Sequence, residues 1–242
     1  MSVGDVPETV TAALADQQVE GQVCLEAGAG VGNTTAGLLA AGAKRVYAVT
    51  DDADHAATVR ERVGDGNADR LAVVEADLRA TPLGTGSVNL VTAHGLCNVL
   101  PPTALDAVAA ELARVAKPDG HLVVDDYAVP PADGAVNRLF ALENAAARAV
   151  DGRPALTFYP PAVLAAVFAD HGWTVQRRKP LLDPVPWTEA HLNAHAVVVR
   201  GYADDLPDAL GAPLTAMADD LVSAIGSERT GTMYSLAFRL AE

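Results

Sequence analysis

The chain has 242 residues, half of them apolar and 20% charged, enough for one large α/β domain whose core needs no disulfide or metal staple. That composition excludes a disordered chain, and no apolar run approaches the roughly 20 residues of a membrane span. Thirty-one acids against seventeen bases leave a formal charge of −14, a field that repels phosphate backbones and anionic lipid and argues against nucleic-acid or membrane partners.

The opening residues, Met1-Ser2-Val3-Gly4-Asp5, lack the basic and apolar regions of a secretory signal, so a cytoplasmic location is expected. Val23-Cys24-Leu25 reads as a first strand leading into a glycine cluster. Thr34–Ala41 reads as a helix stopped by Gly42. Arg45–Val49 is a second strand, Ala53–Val63 a polar helix, Leu71–Glu75 a third strand and Val88–Ala93 a fourth. Thr103–Ala116 is amphipathic, with Leu105, Val108, Ala109, Leu112 and Val115 on one face. Lys117-Pro118-Asp119-Gly120 has turn composition, and His121–Val124 follows as the fifth strand.

Farther on, Gly134–Val150 and Pro161–His171 read as helices, and Gly172–Gln176 opens another strand. Leu181–Pro186 is a proline-rich turn. Thr188–Asp205 fits helix better than strand, and Asp208–Ile225 is helical. Thr232–Leu240 alternates with Tyr234, Leu236, Phe238 and Leu240 on one face, the pattern of a strand. Strands alternating with helices predict a parallel sheet covered by helices in a single domain.

Cys24 and Cys97 sit among apolar neighbours and read as small core residues. His191 and His195, four apart, share a helix face, but no acid at suitable spacing completes a metal set, so no metal is expected. Arg177-Arg178-Lys179 is the nearest approach to a basic patch, and it is short.

The sharpest feature is Leu25-Glu26-Ala27-Gly28-Ala29-Gly30-Val31-Gly32-Asn33-Thr34-Thr35. Glycine lets the backbone turn tightly and lets a ligand approach without a Cβ in the way, while the next helix offers free amide donors. A dinucleotide fingerprint requires Gly-x-Gly-x-x-Gly. Here Asn33 stands at the third glycine position, and an acid precedes the loop.

This loop resembles motif I of the class I S-adenosylmethionine (SAM) dependent methyltransferases, and the resemblance continues in order over roughly residues 20–180. Val46–Asp52 ends a strand where that family carries an acid for the ribose hydroxyls. Val74-Glu75-Ala76-Asp77-Leu78 is similar to the segment whose Asp accepts from the adenine amino group. Thr81–Val91 and Glu111–Val124 resemble the approaches to the family's fourth and fifth strands. The sequence departs from the pattern twice: Thr50 stands where the ribose acid most often falls, passing that role to Asp51, and Asn89 replaces a usual Asp.

The resemblance implies a Rossmann-like three-layer α/β sandwich around a mostly parallel seven-stranded sheet with an antiparallel last strand. Within the single domain 1–242, residues 20–130 would form the SAM-binding half and 131–180 the acceptor-side helices and strand. Residues 181–230 would be an insertion or cap before the last strand, 232–240. It implies SAM as cofactor and a small-molecule methyl acceptor as partner, the protein being a monomer or homodimer. The implied cofactor-binding set is Glu26, Gly28, Ala29, Gly30, Thr50, Asp51, Ala76, Asp77, Leu78, Ala93 and His94. Glu26 would face the ligand's ammonium group, Asp51 the ribose and Asp77 the adenine. Each acid also has a structural reading: Glu26 as a helix-dipole carboxylate, Asp51 and Asp52 as a helix cap, Asp77 as a turn.

The acceptor should enter above the carboxyl ends of strands four and five. His94 is the side chain there with neutral-pH proton affinity, hence the candidate catalytic base; lining the adenine or capping a strand is the alternative. Tyr127, Glu143, Tyr159 and Trp187 are candidate pocket residues, though packing explains each as well. Two other functions compete, a non-catalytic SAM-binding protein and an NAD-dependent oxidoreductase. The second is disfavoured by Asn33 and by the absence of a Tyr-x-x-x-Lys pair. The Asp-rich surface, with lysine only at 44, 117 and 179, resembles that of proteins from salt-loving archaea.

Overall fold

The computed structural model describes residues 6–241. Residues 1–5, on which the expected cytoplasmic location rests, lie outside them. The chain runs α1 (Glu8–Leu14), β1 (Val23–Ala27), α2 (Asn33–Ala40), β2 (Arg45–Thr50), α3 (Ala53–Val63), β3 (Leu71–Glu75), β4 (Val88–His94) and α4 (Pro102–Val115). It continues with β5 (Ala116–Tyr127), α5 (Val136–Asp151), α6 (Pro161–Ala169), β6 (Trp173–Leu182) and β7 (Pro186–Trp187). The last elements are α7 (Glu189–Asp204), α8 (Asp208–Ile225), β8 (Glu228–Arg229) and β9 (Met233–Leu240).

Seven strands form one sheet in the order β3-β2-β1-β4-β5-β9-β6. The pairings from β3 through β5 are parallel, and β9 runs antiparallel to both β5 and β6. The expected Rossmann-like sandwich with an antiparallel last strand is therefore the observed fold. Side chains alternate across the sheet as the pleat requires. Leu25, Val91, Val124 and Leu236 pack on Leu112 of α4 and Phe168 of α6. Cys24, Leu90, Val123 and Ala237 pack on Val10 of α1, Leu38 of α2 and Val59 of α3. Both cysteines are buried and free, as small core residues.

A third core lies within the helices of the second half. Leu139 and Phe140 of α5, Leu192 and Val199 of α7, and Leu221 of α8 enclose Trp187. Thr188 and His191 form a reciprocal capping box that starts α7, the helix expected over 188–205. His195 sits 2.7 Å from the buried carboxylate of Glu143 and edge-on to Phe140, so the two histidines are occupied locally. Among the described residues no group of three His, Cys, Asp or Glu is arranged to hold a metal.

Three local expectations need correction. The helix α1 was not anticipated; it has only seven residues, too short for a periodic signal. The string at 177–179 serves it: Arg177 and Lys179 donate to the carbonyls of Ala13 and Ala12, at 3.2 and 2.6 Å, and both pair with Asp16. Lys117–Gly120 belongs to β5, where the turn survives as an irregularity: Asp119 has a φ of 62° and the β4 register shifts between Val88 and Leu90. The proline-rich turn begins later than expected, because β6 pairs with β9 through Leu182. No helix among the described residues is long and apolar enough to cross a membrane.

Candidate functional site

The carboxyl ends of β1 to β4 open on a cleft of about 780 Å³ bounded by Gly28, Gly30, Thr50, Asp51, Asp77 and Leu78. Across it stand His94 to Leu96 and the segment from Val99 to Ala104. Parallel strands end here together, so their terminal side chains converge on one crevice.

The glycine loop enters the cleft at the end of β1. Its three glycines, at 28, 30 and 32, have φ values of 74°, 49° and 82°, the left-handed region that costs other residues about 1–2 kcal/mol. A Cβ on Gly28 would lie 2.7 Å from Leu96 Cδ1, whereas one on Gly30 would meet nothing within 4 Å. Gly30 therefore borders open space, while Gly28 permits close packing as well as the turn. The loop is anchored to β2 by bonds from the Gly28 and Ala29 amides to the Val49 carbonyl, at 3.0 and 2.9 Å.

Glu26 lies beneath the loop, 3% exposed, and accepts a hydrogen bond from Thr35 Oγ1. Burial pushes its carboxyl up to about 7, against the opposing pull of Thr35 and His94. At the end of β2 the two adjacent acids divide their work. Asp52 caps α3 by accepting from the His55 amide at 2.8 Å, and both it and Asp51 line the cleft. Thr50 accepts from the Asp52 amide at 3.2 Å and also lines the cleft. Beyond β3, Asp77 is held by Arg79, which holds its carboxyl down at about 2.

His94 ends β4, with its Nδ1 3.0 Å from Asp125 Oδ2 on neighbouring β5. The next residue, Asp126, points to the opposite sheet face, where its oxygens accept from the amides of Asn98 and Tyr127 at 3.0 and 2.8 Å. Burial raises its carboxyl to about 7.

Of the eleven implied cofactor residues, Gly28, Gly30, Thr50, Asp51, Asp77, Leu78 and His94 border the cleft. Glu26, Ala29 and Ala93 are buried beside it, and the Ala76 amide bonds to the Thr50 carbonyl at 2.9 Å. Tyr127, Glu143, Tyr159 and Trp187 do not bound it. Tyr127 stacks on Trp187 at 5.2 Å, and Glu143 is taken by His195. Sequence reasoning missed Asp125 as a partner for His94; the signal was its place at the end of the fifth strand. It also missed Arg79 and Arg153, both on the cleft.

Residues 24–120 match a protein family described as a methyltransferase domain. A curated relative, demethylmenaquinone methyltransferase of Clavibacter sepedonicus, is 36% identical over 115 residues, covering 47% of this chain and 44% of that protein. The match thus spans less than half of the relative's length. Solved structures resemble almost the whole chain at low identity. The geranyl diphosphate C-methyltransferase of Streptomyces coelicolor, solved with Mg²⁺, geranyl diphosphate and S-adenosyl-L-homocysteine (SAH), aligns with a TM-score of 0.61. It is 15% identical, over 96% of this chain and 78% of that one. The cyclase SpnF aligns with a TM-score of 0.65 at 15% identity, over 97% and 80%. The fold is that of the class I SAM-dependent methyltransferases.

Proposed function

We propose that the chain is a SAM-dependent methyltransferase acting on a small molecule. The observation that carries this reading is the glycine loop: its left-handed turn at Gly30 borders a cleft also walled by Asp51, Asp77 and His94. The match of residues 24–120 to a methyltransferase domain supports it.

The residues present fit the cofactor. Gly30 leaves room for its amino acid arm, and Glu26 underlies that room as a counterion for an ammonium group. Asp51, free of capping duty, suits two ribose hydroxyls, and Asp77 suits an exocyclic amine. The bound cofactor would supply an electrophilic methyl on a sulfonium. The chain's task is then to align an acceptor with that methyl and exclude water. The apolar wall formed by Leu96, Val99, Leu100 and Ala104 suits a small acceptor with an apolar body. Helices α5, α7 and α8 would act as a cap over the acceptor side, and the acid excess would be an adaptation to salt.

The fold alone does not select methyl transfer, since a cyclase shares it. Calorimetric titration with SAM, SAH and NAD tests the reading. Binding of SAM and SAH without NAD is expected, and NAD binding alone would overturn it. SAM binding without turnover over a broad acceptor panel would favour a non-catalytic SAM-binding protein.

A further inference from the structure

His94, Asp125 and Ser235 lie side by side on three neighbouring strands. His94 of β4 is in register with Asp125 of β5, and Asp125 with Ser235 of β9. In-register residues on adjacent strands share a sheet face, with Cβ atoms about 4.5–5.5 Å apart in an antiparallel pair. The row grades from cleft to core. The His94 side chain is 22% exposed and that of Asp125 4%, while Ser235 is wholly buried.

A carboxylate only accepts hydrogen bonds, so the 3.0 Å contact puts the imidazole proton on Nδ1 of His94. That leaves Nε2, on the far side of the ring, as a bare acceptor at the cleft. The other oxygen of Asp125, Oδ1, is buried without a partner, and so is the hydroxyl of Ser235 beside it.

Resting on the methyl-transfer reading, we propose that Asp125 is a positioning residue that holds His94 as a base toward the acceptor. The acceptor class follows from the chemistry. A base is needed where the accepting atom sheds a proton as it gains the methyl: a hydroxyl, a thiol or an acidified carbon. It is not needed by a tertiary amine. The accepting atom gives its proton to Nε2, keeps the electron pair of the broken bond and forms the new bond to carbon with it. The pair of the old carbon–sulfur bond stays on sulfur, which becomes neutral, while His94 becomes imidazolium.

The test is nitrogen NMR of protein labelled with ¹⁵N-histidine, free and with SAH, the six histidines being assigned with His94→Gln. The expected pattern is a protonated Nδ1 and a bare Nε2 on His94, favoured by about tenfold, corresponding to about 1.4 kcal/mol. Asp125→Asn should abolish that preference. A proton on Nε2 in the unmodified protein, or an unchanged pattern in Asp125→Asn, overturns the proposal. The unmodified protein is itself decisive, so a variant that fails to fold leaves the test standing. SAH calorimetry on the same sample separates the two levels: no SAH binding defeats the methyl-transfer reading, whereas SAH binding with the wrong tautomer defeats only the positioning row.

Discussion

The guanidinium of Arg79 forks onto the carboxylate of Asp77, with Nε 3.0 and 2.9 Å from the two oxygens and Nη2 2.5 Å from one. Both side chains are about half exposed, so solvent screens the pair and each oxygen keeps lone pairs to offer. Any ligand amine that approaches Asp77 must share it with Arg79.

Asp77→Ala should therefore weaken SAM and SAH alike by about tenfold or more, because both carry the same adenine. Arg79→Ala should leave affinity unchanged or raise it a few-fold by releasing Asp77. Calorimetry on the two variants checks this. A loss confined to SAM would place Asp77 at the sulfonium end.

Proton uptake by Glu26 gives a second expectation. Its carboxyl is raised by burial to about 7, so the free protein holds that proton through the acid range, whereas a cationic ligand favours the carboxylate. Binding should release a proton, and SAH should bind about tenfold more weakly at pH 6 than at pH 8. Glu26→Gln should lose the pH dependence. Titrations in buffers of different ionisation enthalpy read the proton directly.

The same shifts set the sign for stability without ligand. Glu26 and Asp126 bind protons more tightly folded than unfolded, so their stabilisation is present at low pH. It is lost as pH rises from the ordinary carboxylate range to about 7. Asp77, held at about 2, titrates below that window. The melting temperature should fall between pH 5 and pH 8, and Glu26→Gln should flatten the fall; a rise over that range would refute the assignment.

Gly30→Ala separates binding from folding. The new Cβ meets no neighbour, so the stability cost should be limited to the left-handed backbone, about 1–2 kcal/mol. SAH affinity should nevertheless drop at least about tenfold, since the methyl enters the space read as the ligand's. A thermal melt paired with a titration checks both. Equal binding in the variant would put the ligand elsewhere.

Charge repulsion from a net −14 acts against compaction. Screening is largely complete near 1 M, where the Debye length is about 3 Å. If the acid excess is a salt adaptation, the melting temperature should climb from low salt into the molar range of KCl. A flat profile would argue that the acids form a binding face.

Much of the sheet was legible because each parallel strand is a short apolar run bounded by glycine or acid, as in Val23–Gly28 and Arg45–Asp52. Thr232–Leu240 alternates because one face of β9 meets α6 and the other meets the core beside α1. The short helix α1 and the β6 extension depend on contacts distant in sequence, Arg177 to Ala13 and Pro180 to Tyr234, which no local pattern contains. Loop chemistry singled out Gly28, Gly30, Asp51 and Asp77, and all four border the cleft. The pairing of Asp125 with His94 was not legible, since only the register of β4 against β5 sets the two side by side. Trp187 and Tyr127 read as pocket aromatics because burial in a hydrophobic core and burial against a ligand select the same residues.

Native mass spectrometry of the purified chain incubated with SAM tests the central claim most directly, because it reads the ligand without knowing the acceptor. The account predicts one cofactor per chain, with the mass of SAM or SAH, lost in Gly30→Val. A chain that carries NAD instead, or that stays unliganded at saturating SAM, would contradict it.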